Sequence, residues 1–415
     1  MRKISLFILL TCLVPLRAQD LATRLVATDY RLSYDQTRSL GVDVNALTFF
    51  KNNEFGGPQA TGYTLPGFWL QPRLSYQPMD VIRLEAGFHA LVYNGANKYP
   101  CFAYHDIARW KGNQYQRASH VLPFFRAQAR LGSFTFVLGD IYGGANHGIV
   151  EPLMNAEVNL SQDPEMGFQL LVDRPHYHLD AWINWQSFIF REDTHQEAFT
   201  VGLSQRIALG SPLSARPSRT LDHSRAFNFY VPIDVLIQHR GGEIDDTHTG
   251  VQTIDNLAVG LGLQWNSRRK VFNGLNAELL ALGCWQQTGQ LWPFDSGVGA
   301  SASVSVELLR QVRLFATAVY AKDFCPIYGA PFFSTYSTKT GGRFESVLTP
   351  HIGVEWFHTF AKDYVLGAKL DSYLARTGVE TLPDGQQRPS ALNNNFTFGI
   401  FMRCSPQFMI KKFGK

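Results

Sequence analysis

Apolar and polar residues alternate one by one along nearly the whole of this chain, and that alternation limits its fold more than any other feature. From Val298 to Glu307, one parity carries Val298, Ala300, Ala302, Val304 and Val306, and the other Gly299, Ser301, Ser303, Ser305 and Glu307. A strand sends these sets to opposite faces, whereas a helix would spread both around its circumference and bury the serines. The same pattern sets Ile82, Leu84, Ala86, Phe88, Ala90 and Val92 against Arg83, Glu85, Gly87, His89 and Tyr93. It sets Tyr177, Leu179, Ala181, Ile183 and Trp185 against His178, Asp180, Asn184 and Gln186, and Phe396, Phe398, Ile400 and Met402 against Thr397, Gly399 and Arg403. Each stretch is about 10 residues long, the length that crosses a bilayer as a tilted strand.

Sixteen segments follow this rule, near 38–50, 63–77, 81–93, 120–131, 133–142, 166–173, 176–189, 197–208, 226–239, 255–266, 273–285, 297–309, 312–323, 348–360, 364–376 and 394–405. The pattern predicts an all-β protein, a transmembrane antiparallel up-and-down β-barrel of about 16 strands, within a range of 14 to 18. Such barrels alternate short periplasmic turns with long external loops. Short links at 77–80, 131–133, 173–175, 309–311 and 361–363 follow even-numbered segments, and long links at 94–119, 143–165, 240–254, 324–347 and 377–393 follow odd-numbered ones. Both termini are therefore expected in the periplasm. The link 210–225, long and holding Pro212 and Pro217, breaks the rule.

The first 18 residues read as a cleaved export signal: Arg2 and Lys3, an apolar run over 4–14, and Leu16-Arg17-Ala18 before Gln19. That run of about 11 residues is too short for a membrane helix, and no later stretch is long enough. The expected organisation is a signal at 1–18, an outer-membrane barrel over 19–405 and a tail over 406–415. Charged residues make up 17% of the chain, against about a quarter in a soluble domain, which suits a surface in lipid. Losing Arg2, Lys3 and Arg17 with the leader takes the formal charge from +4 to +1, which gives no basis for nucleic-acid binding. Membrane lipid, lipopolysaccharide and the barrel-assembly machinery are the expected partners, with a second copy or another envelope protein as further candidates.

Signal, strand length, loop asymmetry and even count resemble a porin-like outer-membrane protein. Two segments, Asn45-Ala46-Leu47-Thr48-Phe49-Phe50-Lys51-Asn52-Asn53-Glu54-Phe55 and Leu236-Ile237-Gln238-His239-Arg240-Gly241-Gly242-Glu243-Ile244-Asp245, resemble uncharacterised outer-membrane proteins of the Bacteroidota. That resemblance implies no activity. A terminal aromatic residue, usual in such barrels, is displaced here, because Gly414 and Lys415 follow Phe413; either a short tail follows the closing strand, or Gln407 to Phe413 contributes to closure.

If the apolar parity faces lipid, the lumen receives Arg73, Arg83, Glu85, Arg126, Arg130, Asp180, Arg206, Asp234, Glu278, Glu307, Arg313, Glu355, Lys369, Asp371 and Arg403. A barrel of this size has room for an aqueous interior. One reading sets a basic ladder of Arg73, Arg83, Arg126 and Arg130 across from Glu278, Glu307 and Glu355, as the eyelet of a diffusion channel for small polar solutes. The other pairs these charges locally. Loops 94–119 and 324–347, rich in Tyr and Phe, suit a docking or secretion-accessory barrel with a closed lumen, and Cys101 and Cys325 within them are a candidate external disulfide. Segment 239–248 gathers His and carboxylates without the spacing of an EF-hand or a zinc motif. No cofactor or metal site is expected. An outer-membrane hydrolase with a Ser/His pair on its outer face is a further alternative, but catalysis is not expected, because His351 and Ser301 or Ser303 point inward, and no GxSxG elbow occurs.

Overall fold

A computed structural model describes residues 20–93, 119–189, 195–210, 227–242, 250–267, 269–361 and 363–414. The leader at 1–18, most of the link 210–225 and Cys101 lie outside them. Sixteen antiparallel strands form a closed barrel. They are β1 (Ser39–Phe55), β2 (Tyr63–Met79), β3 (Ile82–Tyr93), β4 (Ser119–Leu131), β5 (Phe134–Asp140), β6 (Met166–Arg174), β7 (Tyr177–Ser187) and β8 (Ala198–Ala208). The second half is β9 (Phe227–Arg240), β10 (Gln252–Asn266), β11 (Phe272–Thr288), β12 (Ser296–Leu308), β13 (Val312–Lys322), β14 (Val347–Ala361), β15 (Tyr364–Thr377) and β16 (Ala391–Cys404). Each strand pairs with its chain neighbour, and β1 closes the ring by pairing Ala46–Phe55 against β16. No helix among the described residues is long and apolar enough to cross a membrane.

Burial is the reverse of a soluble protein's. On β16, Phe396, Phe398, Ile400 and Met402 are exposed, while Asn395, Thr397 and Arg403 are buried; on β12, Val298 and Val304 are exposed, and Ser301, Ser305 and Glu307 are buried. The outward set belongs in lipid, where a charged group would cost about 2–4 kcal/mol at mid-depth. Tight turns sit at one end only. The β4–β5 turn uses Gly132 at φ 62°, a left-handed conformation that glycine adopts without strain, whereas Leu309 and Arg310 take φ 53° and 58° between β12 and β13.

The closing strand runs past residue 405, where the tail was expected to begin. A seventeenth strand, β17 (Gln407–Lys412), pairs with Ser39–Asp43 of β1 below the β16 pairing. Pro406 has no N–H to give the ladder, so the strand breaks there, but its carbonyl accepts Val44 N–H at 3.0 Å.

Three segments fill the lumen. Residues 20–37 enter from the periplasmic end and form helix α1 (Leu21–Val26), capped by the Asp20 carboxylate accepting Thr23 N–H at 2.8 Å. Loop 141–165, between β5 and β6, and loop 323–346, between β13 and β14, fold inward from the other end. Their Tyr142, Leu153, Phe324, Phe332 and Phe333 are buried in one apolar cluster with wall residues such as Leu236 and Val319.

Candidate functional site

The charges that parity assigns to the lumen are there, and nearly all are paired. Glu85 lies between Arg126, at 3.0 Å, and Arg73, at 3.6 Å. Arg126 also donates to the Ile141 carbonyl at 3.0 Å and stacks 3.8 Å from the Tyr142 ring centroid. Arg83 instead donates to Gln36, and Arg130 reaches the Asp80 carbonyl at the periplasmic rim, so the four arginines do not form one ladder. Of the acids proposed to face them, Glu307 binds Arg24 of α1 at 3.0 Å, Glu355 binds Arg313 at 3.1 Å, and Glu278 accepts the Tyr230 hydroxyl at 2.7 Å. Arg206 pairs with Asp234 at 2.8 Å, Lys369 pairs with Asp371 at 2.8 Å, and Arg403 donates to the Arg24 carbonyl at 2.9 Å. The inserted segments leave a cavity of about 370 Å³ beside α1, lined by Arg206, Glu278, Arg313, Glu355, Lys369 and Asp371; with bulk water cut back to that space, these charges are compensated chiefly by one another.

Two imidazoles fasten loop 141–165 to opposite walls. His147 sends Nδ1 to Asp180 of β7 at 2.9 Å and Nε2 to Glu165 at 3.0 Å, and lies flat on Trp182, 3.5 Å between centroids. His351 of β14 meets the loop's Glu151 through Nδ1 and Asp371 of β15 through Nε2 at 2.9 Å, flat on Tyr373 at 3.8 Å. Burial works against the His147 charge, but Glu165 and Asp180 outweigh it and raise its pKa to about 9. Burial likewise pushes the Glu151 carboxyl up, and His351 overcomes this to hold it at about 2. A ring that donates from both nitrogens has no lone pair left to take a proton. Neither histidine is placed to act as a base.

A different arrangement stands on the lipid side, at the external end of β7 to β11. Odd residues of β9 face outward, and His239 is the last of them; its ring stacks on Phe199 at 4.8 Å, which stacks on the exposed Trp185 at 4.9 Å. This is the aromatic belt of the outer interface. A second belt at the periplasmic end stacks Phe227, Trp265 and Phe272. Cross-strand pairing sets His239 opposite Thr253 of β10. The Thr253 hydroxyl lies 2.9 Å from His239 Nδ1, and Nε2 lies 3.0 Å from the Gly241 carbonyl. A carbonyl can only accept, so Nε2 carries the proton, and a neutral ring turns the Nδ1 lone pair toward the hydroxyl. Thr288, opposite Thr253 on β11, donates to the same hydroxyl oxygen at 3.0 Å. Asp255, next on that parity, is enclosed between Ile237 and Trp285; the Gln287 side chain lies beside it, yet neither carboxylate oxygen makes a hydrogen bond of ordinary geometry.

Among the described residues, His239 and Thr253 are the one hydroxyl–imidazole pair at hydrogen-bonding distance. A second outward cluster, Thr64–Asn52–Glu54 on β1 and β2, links hydroxyl to amide at 2.6 Å and amide to carboxylate at 2.9 Å. An amide oxygen cannot take the hydroxyl proton, so this cluster lacks an adjacent base. In the sequence, His239 stands out only as part of the polar segment 239–248, and Thr253 does not stand out. The available signal was polarity on the wrong parity: Thr253 and Asp255 interrupt an outward series that continues as Leu257, Val259 and Leu261.

One protein-family model matches residues 32–413, almost the whole chain. The protein belongs to the lipid A 3'-O-deacylase-type family. That membership overturns the expectation of a non-enzyme, because the family is named for a hydrolytic activity. The inward direction of His351, Ser301 and Ser303 holds, but it bears only on the lumen, and the imidazole–hydroxyl pair lies outside. Solved barrels are also similar. The outer membrane protein OprD from Pseudomonas aeruginosa is 9% identical, with 92% of this chain and 97% of that one covered and a TM-score of 0.45. OccAB3 of Acinetobacter baumannii is 9% identical over 89% and 99%, at 0.46, and an anion-selective porin from Comamonas acidovorans is 9% identical over 89% and 99%, at 0.43. No curated protein matches the chain in sequence.

Proposed function

We propose that this family member is an outer-membrane lipid O-deacylase, acting on the lipid A of lipopolysaccharide from the outward face of its barrel. The observation that carries the reading is the His239–Thr253 pair, held on the lipid-facing parity at the external aromatic belt. An ester-linked acyl chain in the outer leaflet has its carbonyl at that depth. Trp185 and Phe199 offer apolar surface for the chain, and the diffusing substrate needs no entry into the lumen.

Thr253 Oγ1 attacks the ester carbonyl carbon while His239 Nδ1 takes the hydroxyl proton. Collapse of the tetrahedral intermediate breaks the bond to the sugar oxygen, which leaves with that proton and transfers the acyl group to Thr253. Water then attacks the acyl-enzyme with Nδ1 as base, releasing the fatty acid and restoring the hydroxyl. The Gly241 carbonyl holds the ring in the required tautomer, and the Thr288 hydroxyl orients Thr253.

The occupied lumen supports this reading over the diffusion channel that strand number alone suggests. Purified protein in mixed micelles with lipid A is expected to release free fatty acid. Thr253→Ala and His239→Gln should each lower kcat by at least about 100-fold, while His351→Gln, which acts on the plug, retains the rate of the folded fraction. Full activity in Thr253→Ala would refute the assignment, and loss of activity on substituting Asn52 or Glu54 instead would move the centre to β1 and β2.

A further inference from the structure

The geometry points to a modification site that fastens the inner plug: a disulfide between Cys284 and Cys325. Cys284 lies on the lumen face of β11, and Cys325 lies three residues beyond β13, where loop 323–346 turns inward. Both are buried in the same apolar cluster. The Cys284 thiol donates to the Asp323 carbonyl at 3.4 Å, two residues before Cys325, and the backbone N–H groups of Cys325 and Gly297 lie beside its sulfur. In a gauche rotamer a cysteine's sulfur lies beside its own backbone nitrogen. A sulfur beside that nitrogen is therefore within reach of a χ1 rotation of Cys325. The backbone is already fixed there, because Asn256 of β10 donates to the Cys325 carbonyl at 3.1 Å and accepts Ile327 N–H at 2.7 Å.

An outer-membrane protein folds in an envelope where disulfides form and persist. Two thiols become one disulfide by losing two protons and two electrons, and the acceptor is the disulfide of an envelope thiol oxidase. The thiolate of one cysteine attacks that disulfide, forming a mixed disulfide and releasing one oxidase sulfur. The second cysteine attacks its partner's sulfur and expels the other, leaving the oxidase as a dithiol. Both sulfurs are enclosed in the finished barrel, so this exchange precedes closure. The bond then ties the start of the loop that carries Phe324, Phe332 and Phe333 to the wall.

This pairing competes with the Cys101–Cys325 bridge suggested by loop position, and the two exclude each other. Protein isolated from outer membranes without reductant should be denatured in iodoacetamide, digested with trypsin and weighed. The expected result is a linked pair of peptides, 271–310 and 323–339, that separates on reduction, with Cys101 alkylated. Alkylation of both Cys284 and Cys325 before reduction, or a link from Cys325 to the peptide 99–109, would overturn the proposal. The measurement uses the unaltered protein and does not depend on a variant folding. As a second readout, reductant should lower the Tm of the wild type and leave that of a Cys284→Ala, Cys325→Ala protein unchanged; equal shifts would count against the bond.

Discussion

His147 and His239 show how position decides what one side chain does. Enclosed in the lumen between Glu165 and Asp180, His147 is an imidazolium and a strut. At the lipid belt, between a hydroxyl and a carbonyl, His239 keeps the lone pair that the proposed mechanism uses as a base. The strut has a pH signature. Its pKa rises from 6.5 to about 9 on folding, so its contribution is complete below pH 6.5 and is lost as pH climbs through 9. The wild-type Tm should therefore fall between pH 7 and pH 10. His147→Gln leaves buried carboxylates uncompensated, which costs about 3–5 kcal/mol. Its Tm should start lower and change less across that window; parallel curves would show that the ring is not charged. Parity placed Asp180, Glu85 and Arg126 inward from sequence alone. It brings Glu85 together with Arg126 and Arg73, but it could not supply the partners from the plug, because Tyr142, His147 and Arg24 come from segments with no periodicity to read.

Among the elements, the strands were the legible part. Period-two patterning accounts for all 16, and short turns after even-numbered strands support the count except after β8, where the link is long; a strand buried on neither face in the ordinary sense still separates lipid from lumen residue by residue. β17 was legible only as one of two readings, a free tail or closure by 407–413, because Phe408, Met409 and Ile410 are consecutive apolar residues without alternation, and all are exposed on an element paired at one edge. Loop 141–165 escaped for another reason: its inward path rests on contacts made across the barrel, such as Val150 N–H to Asp234 at 3.0 Å and Asn155 to the Tyr373 hydroxyl at 2.8 Å. Removing the loop is survivable, because β5 and β6 are already in register from Phe134–Val172 to Asp140–Met166 and the abandoned wall charges can hydrate. Replacing 144–161 with a short glycine–serine turn should convert a barrel silent in planar bilayers into one with stepwise conductance. Equal conductance in the two proteins would mean that the loop does not close the lumen.

The molecule as a whole is a porin-sized barrel with an inner plug. Sixteen strands leave space for water, and the chain spends that space on an apolar cluster, two imidazole clasps and an N-terminal helix. The proposed chemistry uses the outward wall instead, where the outer leaflet would supply the substrate and the aromatic belt would set its depth. Mass spectrometry of lipid A from cells producing the protein tests this most directly. The account predicts a lipid A species lighter by one ester-linked acyl chain with the wild type, and none with His239→Gln assembled at equal level in the outer membrane. Unchanged lipid A with the wild type, or the same shortened species with His239→Gln, would contradict it.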